Sequence, residues 1–162
     1  MPPDHAAELV AERSFRLDGL AAVREATAAA ARTAGAGEER ANAMVIIANE
    51  LATNAVMYGG GVGRLRVWRT PGQLFCEVSD AGVGMPDPFG VGWELVGPDA
   101  PHGRGLWLVR RLADGVEIHS GDAGTTVLAW LNLNGLSPSR DHHAGHAASR
   151  GEMSAETAWL TR

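Results

Sequence analysis

Met44-Val45-Ile46-Ile47-Ala48-Asn49-Glu50-Leu51-Ala52-Thr53-Asn54-Ala55-Val56-Met57 is apolar on almost every side, and that decides what kind of helix it forms. A helix lying on a surface keeps a polar face toward water, whereas one that is apolar all round belongs inside. The stretch therefore predicts a buried segment within a longer helix, Glu38 to Tyr58. Glu50 and Asn54 interrupt it four residues apart, on one face. A carboxylate and an amide in such a place need partners. They are either two satisfied polar groups in a core or the edge of a binding site, and the helix alone does not choose.

Toward the N-terminus, Ala34-Gly35-Ala36-Gly37 closes a preceding helix, with glycine where a left-handed C-terminal residue is wanted. Asp18 offers that helix an N-cap, and Leu20, Val23, Thr27 and Ala30 recur at helical spacing. Ser14 to Leu17 alternates as a short edge strand, and residues 1–13 read as a loose N-terminus. Toward the C-terminus, Gly59-Gly60-Gly61-Val62-Gly63 is a break. Arg64–Arg69 and Gln73–Ser79 then form a hairpin about Thr70-Pro71-Gly72, the chemistry of a type II turn. Leu74, Cys76 and Val78 share one face, so Cys76 reads as a buried small hydrophobe.

Asp80 to His102 carries no periodicity and is rich in Gly and Pro, the signature of a functional loop, here lid-like. Gly103-Arg104-Gly105 opens a third helix, Leu106 to Ala113. Two strands, Gly115–His119 and Thr125–Leu133, follow with Gly121 to Gly124 as their turn. Residues 135–162 are polar and aperiodic, and are expected to be a disordered tail. One domain, residues 14–134, is expected. It is an α+β two-layer sandwich: a mixed, mainly antiparallel sheet with three helices on one face.

Composition removes whole classes. All 14 basic residues are arginine, so a Walker A loop, a Schiff-base enzyme and a eukaryotic-type protein kinase, which need lysine, cannot be written here. The net charge of −5 argues against nucleic acid or an anionic membrane as main partner. The single cysteine excludes an internal disulfide framework and a multi-cysteine zinc site. His142, His143 and His146 fall in the expected tail and do not read as a metal site. With no charged-then-apolar leader and no apolar run of membrane length, the cytoplasm is the expected location. Although the chain holds 21 glycines, G-x-G-x-x-G is never completed, and a dinucleotide-binding βαβ unit loses its support.

Two glycine features remain. Asp80-Ala81-Gly82-Val83-Gly84 ends a buried strand with a carboxylate. Its alternating glycines let a flat ring approach the backbone while Asp80 accepts from an exocyclic amine. An Asp-Gly turn is the plainer reading. Gly103-Arg104-Gly105 at a helix start offers free N–H groups, the positive end of the helix dipole and a guanidinium to an anion such as phosphate. A glycine-rich helix entry with a solvated arginine is the plainer reading there.

Taken in order, Asn49-Glu50-Leu51-Ala52-Thr53-Asn54-Ala55-Val56, Asp80-Ala81-Gly82-Val83-Gly84-Met85, Gly103-Arg104-Gly105-Leu106 and Gly124-Thr125-Thr126 resemble the successive boxes of the GHKL ATPases. That family joins gyrase-type, Hsp90-type, histidine-kinase and MutL-type nucleotide domains. The nearest resemblance is to the small bacterial anti-sigma factors with serine/threonine kinase activity. The resemblance implies a Bergerat-type ATP-binding fold and ATP with Mg²⁺ as ligands. On it, Asn54 ligates the ion, Glu50 is the catalytic base that orients or deprotonates the attacking hydroxyl, and Asp80 with Thr125 reads adenine. Gly82 and Gly84 allow close approach, Met85 and Leu106 belong to the same nucleotide-contacting boxes, and Arg104 with the Gly103 and Gly105 amides holds the phosphates.

It implies as partners a sigma factor, an anti-anti-sigma protein or both, and a homodimer. A protein serine/threonine kinase and a non-catalytic, ATP-dependent sigma-sequestering module both remain open, with Glu50 favouring the kinase. A histidine-kinase catalytic domain working in trans is a third reading, and no acceptor histidine of the H-box kind accompanies it.

Overall fold

Alternation along the hairpin sorts the sheet into two faces. In β2 (Gly63–Thr70) Leu65 and Val67 point one way, and in β3 (Gln73–Asp80) Leu74, Cys76 and Val78 point the same way. Gly72 closes the hairpin at φ +100°, the left-handed second corner that a Pro-Gly type II turn requires. The computed structural model describes residues 7–85, 87, 88, 90, 92 and 104–133. Its five-stranded sheet runs β1 (Glu8–Phe15), β2, β3, β5 (Gly124–Asn132), β4 (Gly115–Gly121), and all four pairings are antiparallel.

One face of the sheet carries α1 (Leu20–Thr33), α2 (Glu38–Tyr58) and α3 (Arg104–Leu112). The expected two-layer α+β sandwich is thus observed, with the sheet antiparallel throughout. Because α2 is apolar nearly all round, it takes the central place, packed against both other helices and against β2, β3 and β5. Its Met44, Ile47 and Leu51 meet Val23 of α1, Val109 of α3 and the inward residues of the sheet in one core. On the other face Trp68, Phe75 and Leu128 form a smaller cluster with Ala7 and Trp130. There the buried Glu77 carboxylate is ion-paired with Arg66, whose guanidinium lies 5.1 Å from the centre of the Trp68 ring.

Three expectations change. The first strand begins at Glu8 rather than Ser14, so part of the stretch expected to be loose is ordered edge strand. A register shift between Leu9 and Ala11 breaks its period of two, and Glu8–Arg69 and Glu12–Arg64 ion pairs join it to β2 alongside the core contacts of Val10, Ala11 and Phe15. Asp18 does not cap α1. It sits in a 3₁₀ turn, Leu17–Gly19, and Gly19 takes the cap position with no side-chain cap bond. Glu50 and Asn54 are half-buried rather than enclosed; Asn54 lines a cavity, and Glu50, one turn earlier, is not among the residues lining it. Most of the expected lid from Met85 to His102, together with Gly103 and the expected tail 135–162, lies outside the described residues. Among the described residues, no helix is long and apolar enough to cross a membrane.

Cys76 is fully buried, and burial, helped by the neighbouring Glu77 charge, pushes its thiol up to about 12 from 9.0. The unfolded chain ionises this thiol from about pH 9, whereas the folded protein keeps the proton until about pH 12. Stability is therefore expected to fall across that window, by at most ~1.4 kcal/mol per pH unit from this group. Denaturant titrations at pH 8, 9 and 10 on wild type and Cys76→Ala check this, since the variant must lose that part of the slope. The native thiol should also resist maleimide at pH 8 until denaturant opens the core.

Candidate functional site

The cavity of about 370 Å³ lies where α2 and α3 meet the ends of β3 and β5. Period-2 geometry delivers its floor: Val78 and Asp80 leave β3 on the helix-facing side, as Thr125 and Val127 leave β5. Of the residues singled out from the sequence, Asn54, Asp80, Gly84, Met85, Leu106 and Thr125 line this one space. The remaining walls are mostly apolar, as a flat aromatic ligand would require.

Asp80 is held from several sides. Its Oδ1 accepts the backbone N–H of Gly82 at 3.0 Å and that of Thr125 at 3.1 Å. Its Oδ2 has no hydrogen-bond partner among the described residues and stays an acceptor for something in the cavity. Glycines make this position possible. A Cβ on Gly59 would stand 2.3 Å from Asp80 Cγ, and one on Gly124, at φ +119°, would stand 2.1 Å from the Asp80 carbonyl oxygen. Gly82 packs on Gly59, where a Cβ would come within 2.7 Å of the Gly59 Cα. Gly59→Ala is accordingly expected to push the Asp80 side chain out of place and weaken any ligand it reads by roughly tenfold, about 1.4 kcal/mol. Isothermal titration with a nucleotide against wild type measures it.

At the other end, Glu50 and Asn54 converge on the first turn of α3. A Cβ on Gly105 would lie 2.9 Å from Glu50 Oε2 and 3.4 Å from both amide atoms of Asn54. A side chain there would displace the Glu50 carboxylate but only touch Asn54. Glu50 has no hydrogen-bond or ion-pair partner among the described residues, so its oxygens are available to a ligand. Arg104 is exposed as the first residue of α3 and is not among the residues lining the cavity.

Sequence reasoning missed Tyr58 and Gly59, which line the cavity from the C-terminal end of α2, and Val78 and Val127. The two valines could have been found by stepping two residues back from Asp80 and two forward from Thr125. It also missed Ser120, whose Oγ accepts the Met85 N–H at 2.6 Å and lies 2.9 Å from Thr125 Oγ1. No pattern in the sequence marks that serine.

The family model described as the histidine kinase-like ATPase domain matches residues 14–130. The chain belongs to the histidine kinase-like ATPase domain family. Among solved structures, it is similar to the histidine kinase domain from the Erythrobacter litoralis EL346 blue-light activated histidine kinase. That likeness has 22% identity and a TM-score of 0.50, and covers 70% of this chain and 60% of the other. It is also similar to the RsbU and RsbW domains of Rv1364c from Mycobacterium tuberculosis, at 18% identity and a TM-score of 0.52, covering 76% of this chain and 32% of the other. The chain thus spans less than two thirds of either structure, and at these identities the likeness concerns the fold. No curated protein matches significantly.

Membership in this ATPase family makes ATP the ligand to test against the cavity, and the donor set fits. Asp80 Oδ2 suits an exocyclic amine, Thr125 brings a hydroxyl to the same end, and the apolar walls suit a purine. For Mg²⁺, Asn54 provides a hard amide oxygen. Among the described residues no group of three His, Cys, Asp or Glu could hold a metal ion, so further ligands for such an ion would be phosphate oxygens and water.

Proposed function

We propose that this member of the ATPase family binds Mg-ATP and transfers the γ-phosphoryl group to a serine or threonine of an anti-anti-sigma partner, and that it also sequesters a sigma factor, in the cytoplasm. The observation that carries the reading is the meeting of Glu50 and Asn54 at Gly105, beside a cavity whose far end is built around Asp80. One end suits a base and the other a phosphate chain. Asp80 and Thr125 hold the purine, and Gly84, Met85 and Leu106 border it. Gly103, Arg104 and Gly105 belong to the phosphate end by sequence. Asn54 would hold magnesium, which when bound neutralises charge on the phosphates.

The partner hydroxyl oxygen attacks the γ-phosphorus, the bond to the bridging β,γ-oxygen breaks, and ADP leaves with that electron pair. Glu50 is available to take the hydroxyl proton, since no described residue occupies its oxygens. Phosphoryl transfer depends mainly on positioning and charge neutralisation, so one carboxylate and one metal-holding amide make a workable minimum.

A non-catalytic reading, in which ATP only tunes a sequestering surface, is favoured by one observation: Arg104 is not among the cavity-lining residues. Incubation with γ-labelled ATP and candidate partner proteins, followed by phosphoamino-acid analysis, tests both. Label on serine or threonine supports the kinase, ATP binding without label on any partner supports the module, and label on histidine overturns both.

A further inference from the structure

We propose that Ser120 sets the direction of the Thr125 hydroxyl, making Thr125 a hydrogen-bond donor to a purine ring nitrogen. The inference rests on the reading of this cavity as an adenine site and assigns a positioning role to a residue on β4. Ser120 Oγ accepts the Met85 N–H at 2.6 Å and lies 2.9 Å from Thr125 Oγ1. Those are the only hydrogen-bonding neighbours of either hydroxyl among the described residues.

Two proton arrangements are open to the pair. If Thr125 donates to Ser120, the Ser120 oxygen takes two donors and its own proton has no described acceptor. If Ser120 donates to Thr125, every donor on the serine side is used, and the Thr125 proton is released toward the cavity that Thr125 lines. Each arrangement leaves one proton without a described acceptor, and only the second places it on the residue that lines the cavity, where water or a ligand accepts it, so the second is preferred. Acceptance of the short Met85 bond strengthens it further, because a hydroxyl that accepts becomes a better donor.

The consequence is a matched pair of groups at the base end. Asp80 Oδ2 can only accept, which suits an exocyclic amine, and Thr125 donates, which suits an unprotonated ring nitrogen beside that amine. Adenine presents that pair in that order. Ser120 touches no ligand itself and acts through Thr125.

The test compares ATP with purine riboside triphosphate, which keeps the ring nitrogens and lacks the amine. Affinities are measured by titration for wild type, Ser120→Ala, Ser120→Thr, Thr125→Val and the Ser120→Ala/Thr125→Val double variant, each first shown to be folded by its thermal transition. Ser120→Ala is expected to weaken both nucleotides by the same roughly three- to tenfold, leaving their ratio, which Asp80 sets, unchanged. Ser120→Thr should restore wild-type affinity. In the Thr125→Val background, Ser120→Ala should cost less than about twofold, because its route of action is already gone.

Wild-type affinities in Ser120→Ala, a full penalty in the Thr125→Val background, or a collapse of the ATP to purine triphosphate ratio would each overturn the inference. Absence of binding by the wild type to either nucleotide would instead overturn the adenine-site reading and remove the inference with it.

Discussion

Glu50→Ala should leave ATP affinity within a few-fold of wild type and lower phosphoryl transfer to a protein partner by roughly 10²–10⁴, the range associated with loss of a general base. Both halves follow from where the side chain stands. Glu50 is half-buried one helical turn before Asn54, and its Oε2 would meet a Cβ on Gly105, at the start of α3. It lies away from the Asp80 end, which is expected to carry most of the discrimination for the base. No described residue depends on Glu50 for a hydrogen bond, so its removal strands no partner and should change the melting temperature little. A large kcat effect with little change in ATP affinity is therefore the signature of a group used in the transition state. Full transfer by the variant would make Glu50 a surface-facing helix residue and end the mechanism proposed for it.

The legibility of the fold follows the strength of each local signal. Helix α2 is readable to its ends because Gly37 and Gly59 bracket a helix whose stretch from Met44 is apolar on almost every side, and the hairpin is readable because Pro71-Gly72 fixes its corner. Edge strand β1 was only half readable. Its bulge near Val10 shifts the alternation, so Val10, Ala11 and Phe15, which do pack on the core, follow no regular period, and the charged Glu8 and Glu12 beside them read as loose chain. Asp18 misled for a different reason. A capping residue announces that a helix begins nearby, but the chain takes a 3₁₀ turn first and leaves the cap to Gly19.

The site divides in the same way. Asn54, Asp80 and Thr125 are separated widely in sequence, yet each sits at an element end, and the sheet order brings the ends of β3 and β5 together beside α2. The partners that hold them were not readable. Gly59 looks like ordinary helix punctuation until its contact with Asp80 is seen, and Ser120 is one hydroxyl on an outer strand. Such supporting groups act through three-dimensional proximity and leave no periodic trace in the sequence.

Asp80→Asn should weaken ATP binding by about ten- to a hundredfold, corresponding to about 1.5–3 kcal/mol for a lost charge-assisted hydrogen bond, while the protein stays folded. The direction is unusually well determined, because the surroundings choose which way the amide faces. Two backbone N–H groups, from Gly82 and Thr125, converge on Oδ1, and an NH₂ group placed there would oppose both. The amide oxygen must take that place, which puts the NH₂ group where Oδ2 stood, donor facing the adenine amine. The two anchoring bonds survive, so the thermal transition should move little, in contrast to Asp80→Ala, which strands both N–H groups. Purine riboside triphosphate gives the decisive comparison. Lacking the amine, it should bind wild type and Asp80→Asn within about threefold of each other, whereas ATP should separate them by the full factor. Equal losses for both nucleotides would mean that Asp80 supports the cavity without reading the base, and the orientation of adenine proposed for this site would be wrong.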